Sequence, residues 1–195
     1  MVKPARPTFQ TVPRVVRIIG GVWRRTRLPV PDKPGLRPTP DRVRETLFNW
    51  LGQDLTGWHC LDAFAGTGAL GLEAASRGAA RVWLAEQDAQ QAAQLRATAQ
   101  RLGATQVEVQ HGDGIALLAA QPPASLDLVL LDPPFDSSLA APALAAAVPA
   151  LCSGGRVYLE VPHPWSDDAF AALNLTPYRH LKAGVVHAYL AVKGD

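Results

Sequence analysis

A chain of 195 residues with 48% hydrophobic content is long enough to bury one substantial core, and one main domain with a small appendage is expected. No run of about 18 apolar residues suggests a membrane span, and Met1 to Arg14 is basic and proline-bearing without the apolar stretch of a secretory signal, so the expected location is the cytoplasm. The net charge of +2 conceals an asymmetry, because residues 1 to 44 carry eleven Lys or Arg against Asp32 and Asp41, a balance of +9 that leaves the remainder at −7. A basic arm on an acidic body points to a polyanionic partner. Cys60 and Cys152 lie far apart in apolar surroundings and form no C-x-x-C pair, so both read as small core residues, and no metal site is indicated.

In chain order, Val15 to Ile19 predicts a strand, Gly20-Gly21 a turn and Val22 to Leu28 a returning strand, which together make a small basic hairpin. A proline-rich loop follows (Pro29, Pro31, Pro34, Pro38), and Thr39, Pro40 and Asp41 then mark a helix start. On that helix Val43, Leu47, Trp50 and Leu51 recur on one face, with Arg42, Arg44 and Glu45 expected off it, free for ligands or water. Thereafter strands alternate with helices, as in an α/β domain with a largely parallel sheet. Strands are expected at 57–64, 81–86, 107–109, 126–131 and 156–161, and helices at 68–77, from Asp88 to about Leu102, at 115–120, 138–150 and 166–173. Pro177 to Leu181 and Val185 to Val192 predict a closing antiparallel hairpin at one sheet edge.

Four of the strands end in an acid: Asp62, Glu86, Asp113 and Asp132. In an open parallel sheet all four would converge on the carboxyl edge, where ligands bind. Gly66, Gly68 and Gly71 have the G-x-G-x-x-G spacing of a nucleotide-type turn, which by itself names no particular cofactor. Glu86, twenty residues after Gly66, can accept hydrogen bonds from ribose hydroxyls of any adenosine cofactor. Asp62 discriminates, because a carboxylate just before the turn would repel a pyrophosphate at the helix N-terminus. S-adenosylmethionine has no phosphate, and its ammonium would pair with such an acid directly or through water. A nicotinamide oxidoreductase is disfavoured for the same reason.

Asp132-Pro133-Pro134-Phe135 supplies the second signal. The prolines stiffen the turn and remove two donors, leaving the Asp132 carboxylate and the Pro133 carbonyl as acceptors for the two hydrogens of an exocyclic base amine. Held in this way, the amine is oriented and its developing positive charge is stabilised, while Phe135 stacks on the base. Such a base must be unpaired or flipped out.

Arg17-Ile18-Ile19-Gly20-Gly21 with Trp23-Arg24, Leu28-Pro29-Val30-Pro31, Gly35-Leu36-Arg37-Pro38-Thr39, Asp41 through Leu51, Leu61 through Glu73, and Asp132 through Phe135 together resemble the RsmD family. The resemblance implies a Rossmann-like class I S-adenosylmethionine-dependent methyltransferase fold, with a seven-stranded, mostly parallel sheet and an N-terminal β-hairpin. It also implies methyl transfer to N2 of a guanine, position 966, in bacterial 16S rRNA. By position, the cofactor contacts implied are Asp62, Phe64, Gly66, Thr67, Gly68, Glu86 and Asp113, the last receiving the adenine amine, with Arg37 and Thr39 lining the site. Methyl transfer falls to Asp132, Pro133, Pro134 and Phe135, and rRNA contact to Arg17, Trp23, Arg24, Arg25, Arg27 and Arg42. Arg25 departs from the family, which often has glycine there, and this bears on the hairpin's local shape. His111, His163, His180 and His187 read as structural, since transfer from a sulfonium needs no histidine base.

The expected organisation is a basic arm and hairpin over residues 1–36 and a methyltransferase domain over 37–195. The expected partner is 16S rRNA within a 30S subunit or assembly intermediate, met by a monomer with no membrane contact. An adenine-N6 DNA methyltransferase and a non-catalytic rRNA-binding assembly factor are the alternatives.

Overall fold

The computed structural model describes residues 15–30, 41–135 and 137–195. Arg37 and Thr39, with the cap expected at Thr39, lie outside them. Among the described residues no helix is long and apolar enough to cross a membrane.

Strands β1 (Val15–Arg17) and β2 (Arg27–Pro29) pair antiparallel, with Val15 opposite Pro29 and Arg17 opposite Arg27. The hairpin therefore forms, but its reversal is wider than a Gly20-Gly21 turn, with both glycines lying between Ile18 and its partner Thr26. The chain turns over 22–25, where Thr26 N donates to Trp23 O and Arg25 N to Ile18 O, and Arg25 itself takes φ +70°. Gly20 and Gly21 instead run against a helix, because any Cβ at Gly21 would collide with the Ser76 carbonyl.

Helix α1 (Asp41–Leu51) buries Val43, Arg44, Leu47, Phe48 and Leu51. Two side chains differ from expectation. Trp50 is only half-buried while Phe48 is fully buried, and Arg44 lies on the inward face with no exposure. Positions 44, 47, 48 and 51 form one helical stripe, so Arg44 goes inward with its apolar neighbours and must find its charge partners there.

β3 (His59–Asp62), β4 (Arg81–Glu86), β5 (Val107–His111), β6 (Leu126–Leu131) and β7 (Leu151–Val161) are linked through α2 (Gly71–Ser76), α3 (Ala89–Arg101), α4 (Gly114–Ala119) and α5 (Ala140–Ala150). After β7 come α6 (Asp167–Ala171), β8 (Leu175–Ala183) and β9 (Val186–Lys193). The sheet has seven strands in the order β5-β4-β3-β6-β7-β9-β8, with only β9 antiparallel to its neighbours. Strand order reverses between β3 and β6, where a doubly wound sheet opens its ligand crevice. β7 starts five residues earlier than the sequence pattern suggests, because Leu151 pairs with Leu126 across a register irregularity. α2 starts three residues later than expected, because the intervening residues form the glycine turn.

Side chains alternate between two cores, one on each face of the sheet. Leu128, Leu130, Tyr158 and Leu190 pack with Val16, Ile18, Leu28, Val43, Leu47 and Leu72 on one face. Leu131, Leu159, Tyr189 and Phe170 pack with Leu144 on the other. Cys60 is fully buried, whereas Cys152 is half-exposed with its sulfur 3.6 Å from Asp127.

Candidate cofactor and acceptor site

The glycine turn is held by two carboxylates, by a neighbouring strand and by its own backbone. Ala65 N donates to Ala85 O at 2.9 Å and Gly68 N to Ala65 O at 2.7 Å, which folds the chain back on itself beyond β3. Gly66 and Gly68 take φ of +52° and +78°, a left-handed conformation that glycine adopts without steric cost. Glu86 at the end of β4 bridges this turn, one carboxylate oxygen accepting from Gly66 N at 2.9 Å and the other from Asp88 N at 2.8 Å. Phe64, Gly66, Thr67 and Glu86 remain partly exposed along the edge, while Gly68 is buried.

Asp62 is 1% exposed and accepts from Gly71 N at 3.0 Å and Phe64 N at 3.3 Å. Burial pushes its pKa up to about 7 against the lowering effect of those amide bonds, with the nearby Glu86 charge raising it further. The first amide of α2 is therefore already occupied by a carboxylate. A phosphate-bearing dinucleotide does not fit this arrangement, because its pyrophosphate would have to displace Asp62 and sit against its charge. A phosphate-free, cationic adenosine cofactor fits.

Asp113 caps α4, accepting from Ile115 N at 2.9 Å, and is exposed at the edge. Asp132 follows β6, partly exposed, with Pro133 buried and Phe135 partly exposed beyond it. Ser137 closes this turn by donating from both N and Oγ to the Pro134 carbonyl, at 3.0 and 2.5 Å. Strand order places the four acids across one edge as Asp113, Glu86, Asp62 and Asp132. Arg17, Arg24, Arg25, Arg27 and Arg42 are exposed and Trp23 is half-buried, on the side of the sheet that carries α1 and α2.

Two groups escaped the sequence reading. Glu73, fully buried on α2, accepts from Ile19 N and Gly20 N at 2.7 Å each and from Arg77 Nε at 2.8 Å, and lies 3.7 Å from Arg44. Arg44 also donates to Arg17 O and Asp41, and Arg77 stacks over Phe48. Ser76 completes the attachment by accepting from Trp23 N and donating to Gly20 O. A helix carrying the glycine turn thus also carries the basic arm. The only signal was a charge set among apolar residues, Leu70, Leu72, Ala74 and Ala75, where a solvent-facing Glu is out of place. The second group is Tyr158 with Glu160 on β7, both buried and joined by a 2.7 Å hydrogen bond from the phenol.

His111 pairs with Glu86 in the β4–β5 register, whereas His180 and His187 lie on the edge hairpin. His111 contacts Gln87 O, and His180 stacks on Tyr189 with its Nε2 3.0 Å from His187 Nδ1. Among the described residues, no group of three or more His, Cys, Asp or Glu could hold a metal ion.

The family described as Conserved hypothetical protein 95 matches residues 16–191. Ribosomal RNA small subunit methyltransferase D of Escherichia coli K12 is 51% identical over 124 residues, 64% of this chain and 62% of the relative, so the matched stretch spans less than two thirds of that protein. The protein of the same name from Haemophilus influenzae is 47% identical over 133 residues, 67% of this chain and 69% of the relative. A solved Escherichia coli structure superposes with a TM-score of 0.79 at 36% identity, covering 92% of this chain and 98% of that one. The fold is that of class I S-adenosylmethionine-dependent methyltransferases. With the family match running from the hairpin to the last strand, the chain belongs to the conserved hypothetical protein 95 family, the RsmD family that its motifs resemble.

Proposed function

We propose that this protein methylates the exocyclic N2 of a guanine in 16S rRNA, with S-adenosylmethionine as the methyl donor. The observation that carries the reading is the position of Asp132-Pro133-Pro134-Phe135 immediately after β6, the strand next to β3, whose glycine turn is held by Asp62 and Glu86. Relatives named as small-subunit rRNA methyltransferases support rRNA as the substrate class.

Asp62, Phe64, Gly66, Thr67, Gly68, Glu86 and Asp113 would hold the cofactor, joined by Arg37 and Thr39. When bound, S-adenosylmethionine supplies an electrophilic methyl group on a positively charged sulfur. The exposed oxygen capacity of Glu86 suits ribose hydroxyls, and Asp113 suits the adenine amine. Buried Asp62 acts through its charge and through water, since its direct bonds go to Gly71 and Phe64. The Asp132 carboxylate and the Pro133 carbonyl take the two N2 hydrogens, which frees the nitrogen lone pair and stabilises the charge that nitrogen gains as it bonds to carbon. Phe135 stacks on the flipped base. The exposed arginines of the arm, with Trp23, grip the surrounding rRNA within a 30S particle or assembly intermediate.

Radiolabelled methyl transfer to purified 30S subunits, naked 16S rRNA and duplex DNA in parallel, followed by mass mapping of the labelled nucleotide, tests this reading. N2-methylguanine in 16S rRNA is expected. Label confined to DNA, as adenine N6, would overturn it, and an absence of both transfer and cofactor binding would favour a non-catalytic assembly factor. Asp132→Ala is expected to lower kcat by about 100-fold or more while cofactor affinity stays within about threefold.

A further inference from the structure

The carboxyl edge of the sheet continues past the acceptor turn onto the β8–β9 hairpin, which the chemistry above leaves unused. Leu131, Leu159, Tyr189 and His180 share one row across β6, β7, β9 and β8, so His180 stands level with the last residue before Asp132. Three strand spacings separate the two ends of that row, about 14 Å. At its outer end opens a groove of about 390 Å³, lined by Trp165 and Asp167 from the segment after β7 and by Tyr178, Arg179, His180 and Tyr189 from the hairpin. Leu131, Leu159 and Tyr189 belong to the core on the face opposite α1. The His180 ring stacks on Tyr189 with centroids 4.3 Å apart and planes 11° apart, so this wall of the groove lies on that face, whereas the basic arm packs on the other.

The lining has the chemistry of a single-stranded nucleotide site. Tyr178 and Trp165 are half-buried and His180 is exposed, so their rings are open to a planar partner. The Arg179 guanidinium lies 5.3 Å from the Tyr178 ring centroid, and exposed Lys182 follows on the same face of β8 as His180. Unstacked bases bind on aromatic faces and guanidinium planes, with cations beside their phosphates. Asp167 repels a phosphate inside the groove but can accept from the amine or imino hydrogen of a base. A protein strand is a poor occupant, because Pro177, the register irregularity between Pro177 and Arg179, and Lys182 are features that keep an edge strand from recruiting another. We propose that this groove binds an unpaired rRNA nucleotide flanking the methylated one, its base stacked on Tyr178 and His180 and its phosphate held by Arg179 and Lys182. The arm and the groove then hold the RNA from opposite faces of the sheet while the target base enters between them. The inference rests on rRNA as the substrate and not on which of its atoms is methylated.

The test uses the full chain with purified 30S subunits or naked 16S rRNA, whichever the wild type methylates. Tyr178→Ala and the double variant Arg179→Ala/Lys182→Ala are each expected to raise KM for the RNA about tenfold while kcat stays within about threefold, since contacts this far from the reacting methyl act on binding. The double variant should also make the fall of log kcat/KM with log salt shallower by about one unit of slope. Calorimetric cofactor affinity within about twofold of wild type identifies each variant as folded. Ultraviolet crosslinking of the wild-type complex, mapped by mass spectrometry, is expected to join Tyr178, His180 or Trp165 to a nucleotide near the methylated one. Unchanged KM in both folded variants would overturn the inference, as would hairpin crosslinks to a ribosomal protein alone. Should a variant lose cofactor binding, the wild-type crosslink decides by itself, and its absence from rRNA counts against the groove. Failure of the wild type to methylate rRNA in either form would instead overturn the rRNA reading, and the inference with it.

Discussion

At the scale of single residues, Asp62 is pulled in two directions. Burial raises its pKa, the amide bonds from Gly71 and Phe64 lower it, and Glu86 raises it, leaving it at about 7. An unfolded Asp titrates near 4. The folded chain thus holds a proton on Asp62 that the unfolded chain has released, and stability from this group is full below about pH 4 and lost as pH rises through about 7. Urea unfolding at pH 5 and pH 8 should show the ligand-free protein weaker at pH 8, and Asp62→Asn should shrink that difference. A cationic cofactor favours the ionised form, so its affinity should rise across the same interval, with proton release detectable by calorimetry in buffers of different ionisation enthalpy. Gly71→Ala is expected to cost about 1–3 kcal/mol, because the new methyl overlaps Leu84 and crowds the Asp62 carboxylate. The Arg25 φ of +70° suits glycine, so Arg25→Gly should gain about 1 kcal/mol in unfolding experiments while the salt dependence of rRNA binding becomes shallower by about one unit of slope.

At the scale of elements, α2 works at both ends. Its first residue, Gly71, donates to Asp62, and two residues on, Glu73 anchors Ile19 and Gly20 of the hairpin. Glu73→Ala leaves Arg77 buried without its carboxylate and the Ile19 and Gly20 amides without their acceptor, while Arg44 keeps Asp41, a loss of about 3–5 kcal/mol in denaturant unfolding. Amide exchange at Ile19 and Gly20 should accelerate first, and the KM for rRNA should rise more than kcat falls. The strands and helices themselves were largely legible, since Asp88 and Ser166 cap where polar residues precede helical runs. The hairpin's pairing was also legible, though its turn was not. Gly20-Gly21 has the composition of a turn, yet the pair is needed for close approach to Ser76, a requirement set by a helix more than fifty residues away.

At the scale of the whole molecule, the charge split between arm and body acquires a geometry. Arg17, Arg24, Arg25, Arg27 and Arg42 are exposed, whereas Arg44 is buried and can contribute nothing to a phosphate. If the five exposed arginines each meet one phosphate, log kcat/KM for rRNA should fall against log salt with a slope of about −4, and a chain lacking the arm's arginines should lose most of that dependence. The alternation of strands and helices, the acids at the strand ends, the glycine spacing and the basic N-terminal 44 residues are properties of the sequence itself, because each is a local pattern of period, charge or backbone freedom. The order β5-β4-β3-β6-β7-β9-β8, the meeting of Arg44 with Glu73, and the row that brings His180 level with Leu131 were decided only by the tertiary structure. These join residues far apart in the chain through sheet register and shared burial, and no local periodicity encodes which distant side chains a closed core forces together.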